Sequence, residues 1–241
     1  MNLCVDQGNT LVKIGVFKDD VLVFLEQYQH LTPEIVGRLI NAYPLLRCIV
    51  SSTALVPVFL EEMLAIQGIE YLELDAKTLL PFTNAYLTPA TLGKDRLAAV
   101  AGAQALKPNQ DVLVVDAGTA ITYDFLDAEG VYHGGNIAPG LEMRAAALHQ
   151  FTHRLPRVEL YAPKQILGND TLSAINNGIV YGAVFEIDGY INSLLLNYPK
   201  LCVFLTGGSA FYFDNLLKNR TFATKNLVLT GLNRILSINV Q

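Results

Sequence analysis

Two short segments carry the residue types that handle phosphates. Asp6-Gln7-Gly8-Asn9-Thr10 lies near the start of the chain, and Asp116-Ala117-Gly118-Thr119-Ala120 repeats its pattern in the second half. Each joins an apolar run to an alternating one: Leu3-Cys4-Val5 and Leu11 to Phe17 around the first, Val112 to Val115 and Ile121 to Leu126 around the second. Both therefore read as a tight turn between the strands of a hairpin. Glycine lets a ligand approach the backbone closely or lets the chain take positive φ. Amide and hydroxyl donors in such a turn form a concave anion site, and the carboxylate holds a cation or water beside the phosphates. A lone Asp-x-Gly is an ordinary hairpin turn. Two of them in the same context point to a duplicated fold that grips a nucleoside triphosphate between its halves.

A third segment, Gly93-Lys94-Asp95-Arg96, stands where a loop becomes a helix. Taken alone, Asp95 is an acid favoured by the dipole in a helix's first turn. Beside two phosphate turns it suits a general base next to an anion clamp, because phosphoryl transfer asks the protein mainly to position groups and neutralise charge. Gly134-Gly135-Asn136-Ile137-Ala138-Pro139-Gly140 and Thr206-Gly207-Gly208-Ser209 are further glycine-rich connections that expose backbone amides. Neither has the spacing of a dinucleotide fingerprint or a Walker A loop. His149 and His153 have the spacing of a helical metal pair, but Gln150 stands where a metalloprotease needs Glu. They read as surface residues. No nucleophile elbow is present.

The elements that must hold these residues follow from pattern and punctuation. Strands are expected at Asn2–Asp6, Leu11–Phe17 and Val21–Tyr28, then a helix at Pro33–Ala42 with Thr32 as its N-cap. A strand at Arg47–Ser51, a helix at Pro57–Gln67 and a strand at Glu70–Leu74 complete a βββαβαβ order, that of a ribonuclease H-like half. Pro81 to Leu92 reads as a loop, and Gly93 opens a helix that runs to Leu106. The second half repeats the order. Strands are expected at Asp111–Asp116, Ile121–Asp127 and Val131–Ile137, and helices at Leu141–Phe151 and Thr171–Asn197. A strand at Leu201–Thr206, a helix after Gly208 and a terminal helix at Leu227–Leu236 follow. The fold class is α/β: two halves, 1–106 and 107–241, each a mixed sheet flanked by helices, with a cleft between them. The Thr171–Asn197 helix is apolar over most of its circumference (Ile175, Ile179, Val180, Ala183, Val184, Ile187, Ile191, Leu194, Leu195), which calls for cover on several sides.

Composition agrees. The chain has 241 residues, 51% apolar and 16% charged, which excludes disorder. Its formal charge is −5 with Lys and Arg scattered, so no nucleic-acid partner is expected. No apolar run reaches the length of a membrane span, and the N-terminal residues lack the pattern of a signal peptide. Cys4, Cys48 and Cys202 lie far apart in apolar runs and read as buried thiols of a cytoplasmic protein.

In their joint order, Asp6 to Lys13 (Asp-x-Gly-Asn-Thr-x-x-Lys), Gly93 to Arg96, Asp116 to Ala120 and Gly134 to Gly140 resemble type III pantothenate kinase, a family of the acetate and sugar kinase, Hsc70 and actin superfamily. The resemblance continues through Leu155-Pro156-x-Val158, Gly168-x-x-Thr171 and Thr206-Gly207-Gly208. It implies transfer of the γ-phosphate of ATP to the 4′-hydroxyl of pantothenate, the first step of coenzyme A synthesis. By that resemblance the run Asp6, Gln7, Gly8, Asn9, Thr10, Leu11, Val12 and Lys13 holds the ATP phosphates, and Thr119 contacts ATP. Asp95 is the proton acceptor, and Tyr86, Gly93, Lys94, Asp95 and Arg96 line the pantothenate pocket. Asp116 binds a monovalent cation, K+ or NH4+, and Mg2+ accompanies the nucleotide. Thr171 reaches pantothenate across a homodimer interface. Lys94 is often a small residue in relatives, and Asp170 stands where many have Asn. The competing readings are another small-alcohol kinase, a polyphosphate-directed phosphatase, and a nucleotide-sensing regulator that binds ATP without turnover.

Overall fold

The computed structural model describes every residue except Asn9, Ala54, Asp214, Val240 and Gln241. The chain opens with three strands, β1 (Asn2–Gln7), β2 (Val12–Lys18) and β3 (Val21–Tyr28). Helix α1 (Pro33–Ala42), β4 (Arg47–Ser52), α2 (Val58–Ile66) and β5 (Glu70–Glu73) follow. Local signals explain these bounds. Thr32 accepts a hydrogen bond from Ile35 N through its side chain at 3.4 Å and Pro33 occupies the first turn of α1, which satisfies an orphan donor at the helix start.

Beyond β5 the chain forms β6 (Thr83–Asn84), a 3-10 turn at Pro89–Thr91 and helix α3 (Lys94–Leu106). Strands β7 (Val112–Ala117), β8 (Ala120–Leu126) and β9 (Val131–Pro139) then lead to α4 (Leu141–Gln150) and α5 (Thr171–Leu195). Strands β10 (Cys202–Thr206) and β11 (Phe222–Ala223) and helix α6 (Leu227–Asn239) end the chain. The helix expected after Gly208 is only a 3-10 turn, Ala210–Tyr212. The two-residue strands β6 and β11 are too short to leave a period-2 pattern.

The first sheet has the order β3-β2-β1-β4-β5, with β1 antiparallel to β2 and parallel to β4, and β4 parallel to β5. The second has β9-β8-β7-β10-β11, with β6 added outside β9. There β7 is antiparallel to β8 and parallel to β10, and β10 is parallel to β11. The order repeats, as do the directions of the three strands flanking β1 and β7 (β2, β4, β5 and β8, β10, β11), so the duplication read from two turns is a duplication of topology. A core of Leu3, Val5, Ile14, Leu39, Val50, Leu60 and Leu64 covers one face of the first sheet. A second core joins β7, β8 and β10 to α4 and α5.

The chain divides into two compact units, but not into two continuous halves. Residues 1–108, 130–132 and 226–241 form one, and residues 109–129 and 133–225 the other. The terminal helix α6 therefore belongs with the first unit rather than with the 107–241 half. Its seat is a helix crossing made possible by glycines. A Cβ on Gly231 would lie 1.7 Å from Ala98 O, and one on Gly102 would lie 2.2 Å from Leu227 O. Asn239 closes the far end, its Nδ2 donating to Leu79 O and its Oδ1 accepting from Leu79 N, both at 2.9 Å. Gly231→Val is expected to cost about 3 kcal/mol or more, because backbone on the other helix cannot move aside. Gly189→Ala, which meets no atom within 4 Å, is expected to gain about 0.5–1 kcal/mol. Chemical denaturation of both variants checks the contrast.

The apolar surface of α5 finds its cover inside its own unit. Ile175, Ile179, Val180, Ala183, Val184, Ile187 and Ile191 are all buried in the second core, with Leu194 and Leu195 packed against it. Leu172 and Phe185 are the large apolar residues of α5 left exposed. The circumference of α5 therefore does not by itself demand a second subunit. Among the described residues no helix is long and apolar enough to cross a membrane.

Candidate active site

The first turn is built on strand register. Asp6 pairs with Lys13 on β2 and with Ser51 on β4, so these three residues share one face at the carboxyl end of β1 and β4. Gln7, Val12 and Ser52 share the other face. Val12 is core, and the buried Oε1 of Gln7 has no hydrogen-bond partner among the described residues. Gly8 N donates to Leu11 O at 3.1 Å and closes the turn. Gly8 does not take positive φ, and a Cβ there would meet only Leu11 O at 3.5 Å, an ordinary contact. The protein's own packing does not require glycine at position 8, since a Cβ there would make only an ordinary contact. Thr10 and Leu11 are exposed beside it, and Asn9 lies outside the described residues.

In the same unit the start of α3 gathers the Gly93–Arg96 segment and Tyr86. Gly93 is the N-cap, and the half-buried Asp95 folds back so that its Oδ1 accepts from Arg96 N at 2.9 Å. A Cβ on Gly93 would come within 2.5 Å of that oxygen, so the carboxylate's position depends on glycine. Arg96 is 5% exposed and stands over the Tyr86 ring, 5.9 Å from its centroid, within the range of cation–π attraction. Strand β6 fixes Tyr86. Gly130 O accepts from Thr83 N at 2.8 Å, Tyr132 O accepts from Ala85 N at 3.0 Å, and Asn84 Oδ1 accepts from Tyr86 N at 3.0 Å. The fully buried Tyr132 backs both Tyr86 and Phe82, with ring centroids 6.4 and 5.9 Å away. Lys94 turns aside to an ion pair with Glu73, 2.9 Å. Tyr132 and Glu73 were not singled out from sequence; each is an ordinary strand residue until β6 and α3 are brought against it.

In the second unit two glycine-rich segments converge on the Asp116–Ala120 turn. Asp116, near the end of β7, lies in register with Thr122 on β8 and Thr206 on β10. Gly118 N donates to Ala120 O at 3.0 Å, and like Gly8 it has neither positive φ nor a close neighbour for a Cβ. Gly207 has φ +94°, and a Cβ there would lie 2.5 Å from Asp116 Oδ1 and 2.4 Å from Ala117 C. Ser209 N donates to Ala117 O at 2.8 Å. Gly140 N donates to Thr119 O at 3.1 Å, and a Cβ on Gly140 would lie 2.2 Å from that oxygen. The Asp116–Ala120 turn is thus gripped from both sides, with Thr119 exposed.

Thr171 is the exposed first residue of α5. Asp170 caps that helix, accepting from Ser173 N at 3.0 Å in a capping box. The Ser173 hydroxyl, and next its backbone N–H, hold the Asp170 carboxyl below its ordinary range. Asp and Asn are equally good caps, so either residue at position 170 would serve this helix start. Thr171 opens onto a groove of about 800 Å³ between α4 and α5, lined mostly by apolar side chains such as Leu148, Phe151, Leu155 and Ile175, with Arg144 at its edge.

The remaining candidates take their ordinary roles. His149 and His153 are exposed, His149 turning its ring to Leu155 O at 2.9 Å. All three cysteines are buried, and burial pushes the Cys4 and Cys48 thiols up, away from the reactive thiolate. Among the described residues no group of three or more His, Cys, Asp or Glu is placed to hold a metal ion.

Solved structures share this architecture. A chain from Campylobacter jejuni, described as a candidate transcriptional activator of the Baf family, superposes with a TM-score of 0.60 at 22% identity and covers 98% of each chain. A ROK hexokinase from Thermus thermophilus superposes with a TM-score of 0.53 at 12% identity, over 100% of this chain and 99% of that one. At such identities the likeness is one of fold, that of the actin-like ATPases and sugar kinases. Sequence similarity goes further. A type III pantothenate kinase from Phocaeicola vulgatus is 47% identical over 239 residues, 99% of each chain. One from Bacteroides fragilis is 45% identical over 243 residues. The family model for type III pantothenate kinase matches residues 2–193. With that match spanning both phosphate turns and the Gly93–Arg96 segment, the chain belongs to the type III pantothenate kinase family.

Proposed function

We propose that the chain transfers the γ-phosphate of ATP to the 4′-hydroxyl of pantothenate, with Asp95 as the general base. The observation that carries this reading is the packing of Asp95, Arg96 and Tyr86 at the mouth of α3, in a chain of this family. Asp95 takes the hydroxyl proton as the oxygen attacks phosphorus, and the bond to the β-phosphate oxygen breaks, leaving ADP. Arg96, held by Tyr86, supplies fixed positive charge for the pantothenate carboxylate, while Gly93 leaves room for the base. Lys94 stands in the same pocket with its ammonium tethered to Glu73.

On the nucleotide side, Gly8, Thr10 and Lys13 meet phosphates at the carboxyl ends of β1 and β4, the end of an open sheet where ligands sit. Without side chains, Gly8 and Gly118 leave the backbone of their turns bare to a phosphate's approach. Asn9 belongs to the same run. Thr119 offers its hydroxyl to ATP. Mg2+ is commonly held by one or two carboxylates plus substrate phosphates, and Asp6 is the carboxylate for that role. Mg2+ would neutralise charge on the phosphate oxygens.

Asp116 suits a monovalent cation, because its carboxylate lies against the backbone of Gly207 at a turn that also receives phosphates. A bound cation offsets the resulting repulsion. ADP release with pantothenate, followed by a coupled assay, is therefore expected to be fast with K+ or NH4+ and low with Na+ or choline. ATP binding without pantothenate-dependent turnover would overturn the kinase reading. Full activity in choline alone would remove Asp116 as a cation ligand.

The active form is proposed as a homodimer in which Thr171 reaches the partner's pantothenate. The groove beside Thr171 supports this, as does the 80% exposed Phe151 that lines it. Gly178 and Gly182 meet nothing within 4 Å and leave room for close approach of another chain. A cytoplasmic location is part of the same proposal.

A further inference from the structure

We propose that Arg144, Glu186 and Tyr123 form a bridge that positions the Asp116–Ala120 turn for nucleotide binding. Arg144 on α4 donates from Nε to Pro139 O at 2.8 Å and from Nη2 to Glu186 Oε2 at 2.7 Å. The other oxygen of Glu186, on α5, accepts from the Tyr123 hydroxyl at 2.7 Å. Tyr123, on β8, is 2% exposed and packs its ring on Tyr190 of α5, centroids 4.1 Å apart. Burial first, and Glu186 second, push the phenol above its ordinary value, so it remains a donor.

The bridge acts on the segment that carries the turn. Pro139 precedes Gly140, whose backbone is pressed on the carbonyls of Gly118 and Thr119. At the other end of the same connection Gly135 is pressed on Tyr123 itself, where a Cβ would lie 1.5 Å from Tyr123 O. The Gly134–Gly140 connection is thus held by Tyr123 at one end and by Arg144 at the other. The guanidinium bond to Pro139 O ties the pair to the residue next to Gly140. The side chains of Arg144 and Glu186 are 21% and 28% exposed, and charge-assisted bonds in such partly buried, two-point geometry hold orientation better than surface pairs. None of the three residues is assigned to substrate; they act through the turn. The inference rests on the reading that Thr119 contacts ATP.

Arg144→Met is expected to raise the KM for ATP, and the dissociation constant of a non-hydrolysable ATP analogue, by about tenfold, with kcat within about twofold of wild type. Arg144→Lys cannot make both bonds and is expected to behave similarly. Glu186→Gln keeps an acceptor for Arg144 and is expected to bind nucleotide nearly normally, whereas Glu186→Leu should match Arg144→Met. Thermal midpoints measured alongside separate binding from stability. Loss of stability with unchanged analogue affinity in both Arg144 variants overturns the bridge. Thr119→Val distinguishes the reason: if it weakens the analogue while the Arg144 variants do not, the bridge alone fails. If Thr119→Val also leaves affinity unchanged, the assignment of Thr119 fails and takes the bridge with it.

Discussion

Asp95→Asn is expected to lower kcat by about two to four decades while leaving ATP affinity close to wild type. The substitution is nearly isosteric. The carboxamide oxygen can still accept from Arg96 N, as Asp95 Oδ1 does at 2.9 Å, and Gly93 leaves the same room. Arg96 stays buried over Tyr86, so the anion clamp survives. What is lost is the acceptor for the hydroxyl proton. Loss in kcat without loss of nucleotide binding is therefore the signature to look for, by steady-state kinetics and analogue titration on protein shown to be folded. Near-normal turnover in that variant would falsify the assignment of the base.

The second large effect is a recovery. Asp95→Asn chains and Thr171→Trp chains are each expected to be inactive, the second because a bulky side chain at the exposed start of α5 blocks the pocket it serves. After subunit exchange, a mixed dimer contains one site with Asp95 from one chain and Thr171 from the other, free of both lesions. With random pairing, half of the dimers are mixed and half of their sites intact, so activity should rise to about one quarter of wild type. The absence of recovery after exchange verified by mass spectrometry, or full activity in a sedimenting monomer, would dismiss the shared site. The test matters because α5 is covered by its own unit over most of its length. The proposal rests on Thr171 and the groove beside it, not on a surplus of apolar surface.

Local signals in the sequence reach as far as neighbouring residues can speak to one another. Thr32 and Pro33 mark the start of α1 because cap and first turn are adjacent. The Asp6 to Lys13 run is legible because a hairpin places Asp6 beside Lys13 through a few residues of turn. Duplication could be read because each half repeats its strand-turn-strand pattern, and the sheets carry it out in the same order. Contacts between distant segments lie beyond such signals. Nothing near Gly231 says that Ala98 is its neighbour, so α6 reads as the end of the second half until two backbones meet at a spacing only glycine permits. Nothing near Lys94 names Glu73 as its partner, and two-residue β6, which fixes Tyr86, has no periodicity to betray it. Gly207, Gly140 and Asp116 are three separate motifs in the chain and one turn in the fold. Hydrogen-bond caps and strand alternation depend on adjacent residues and are written locally; close backbone approach depends on which elements pack together, and tertiary structure alone decides that.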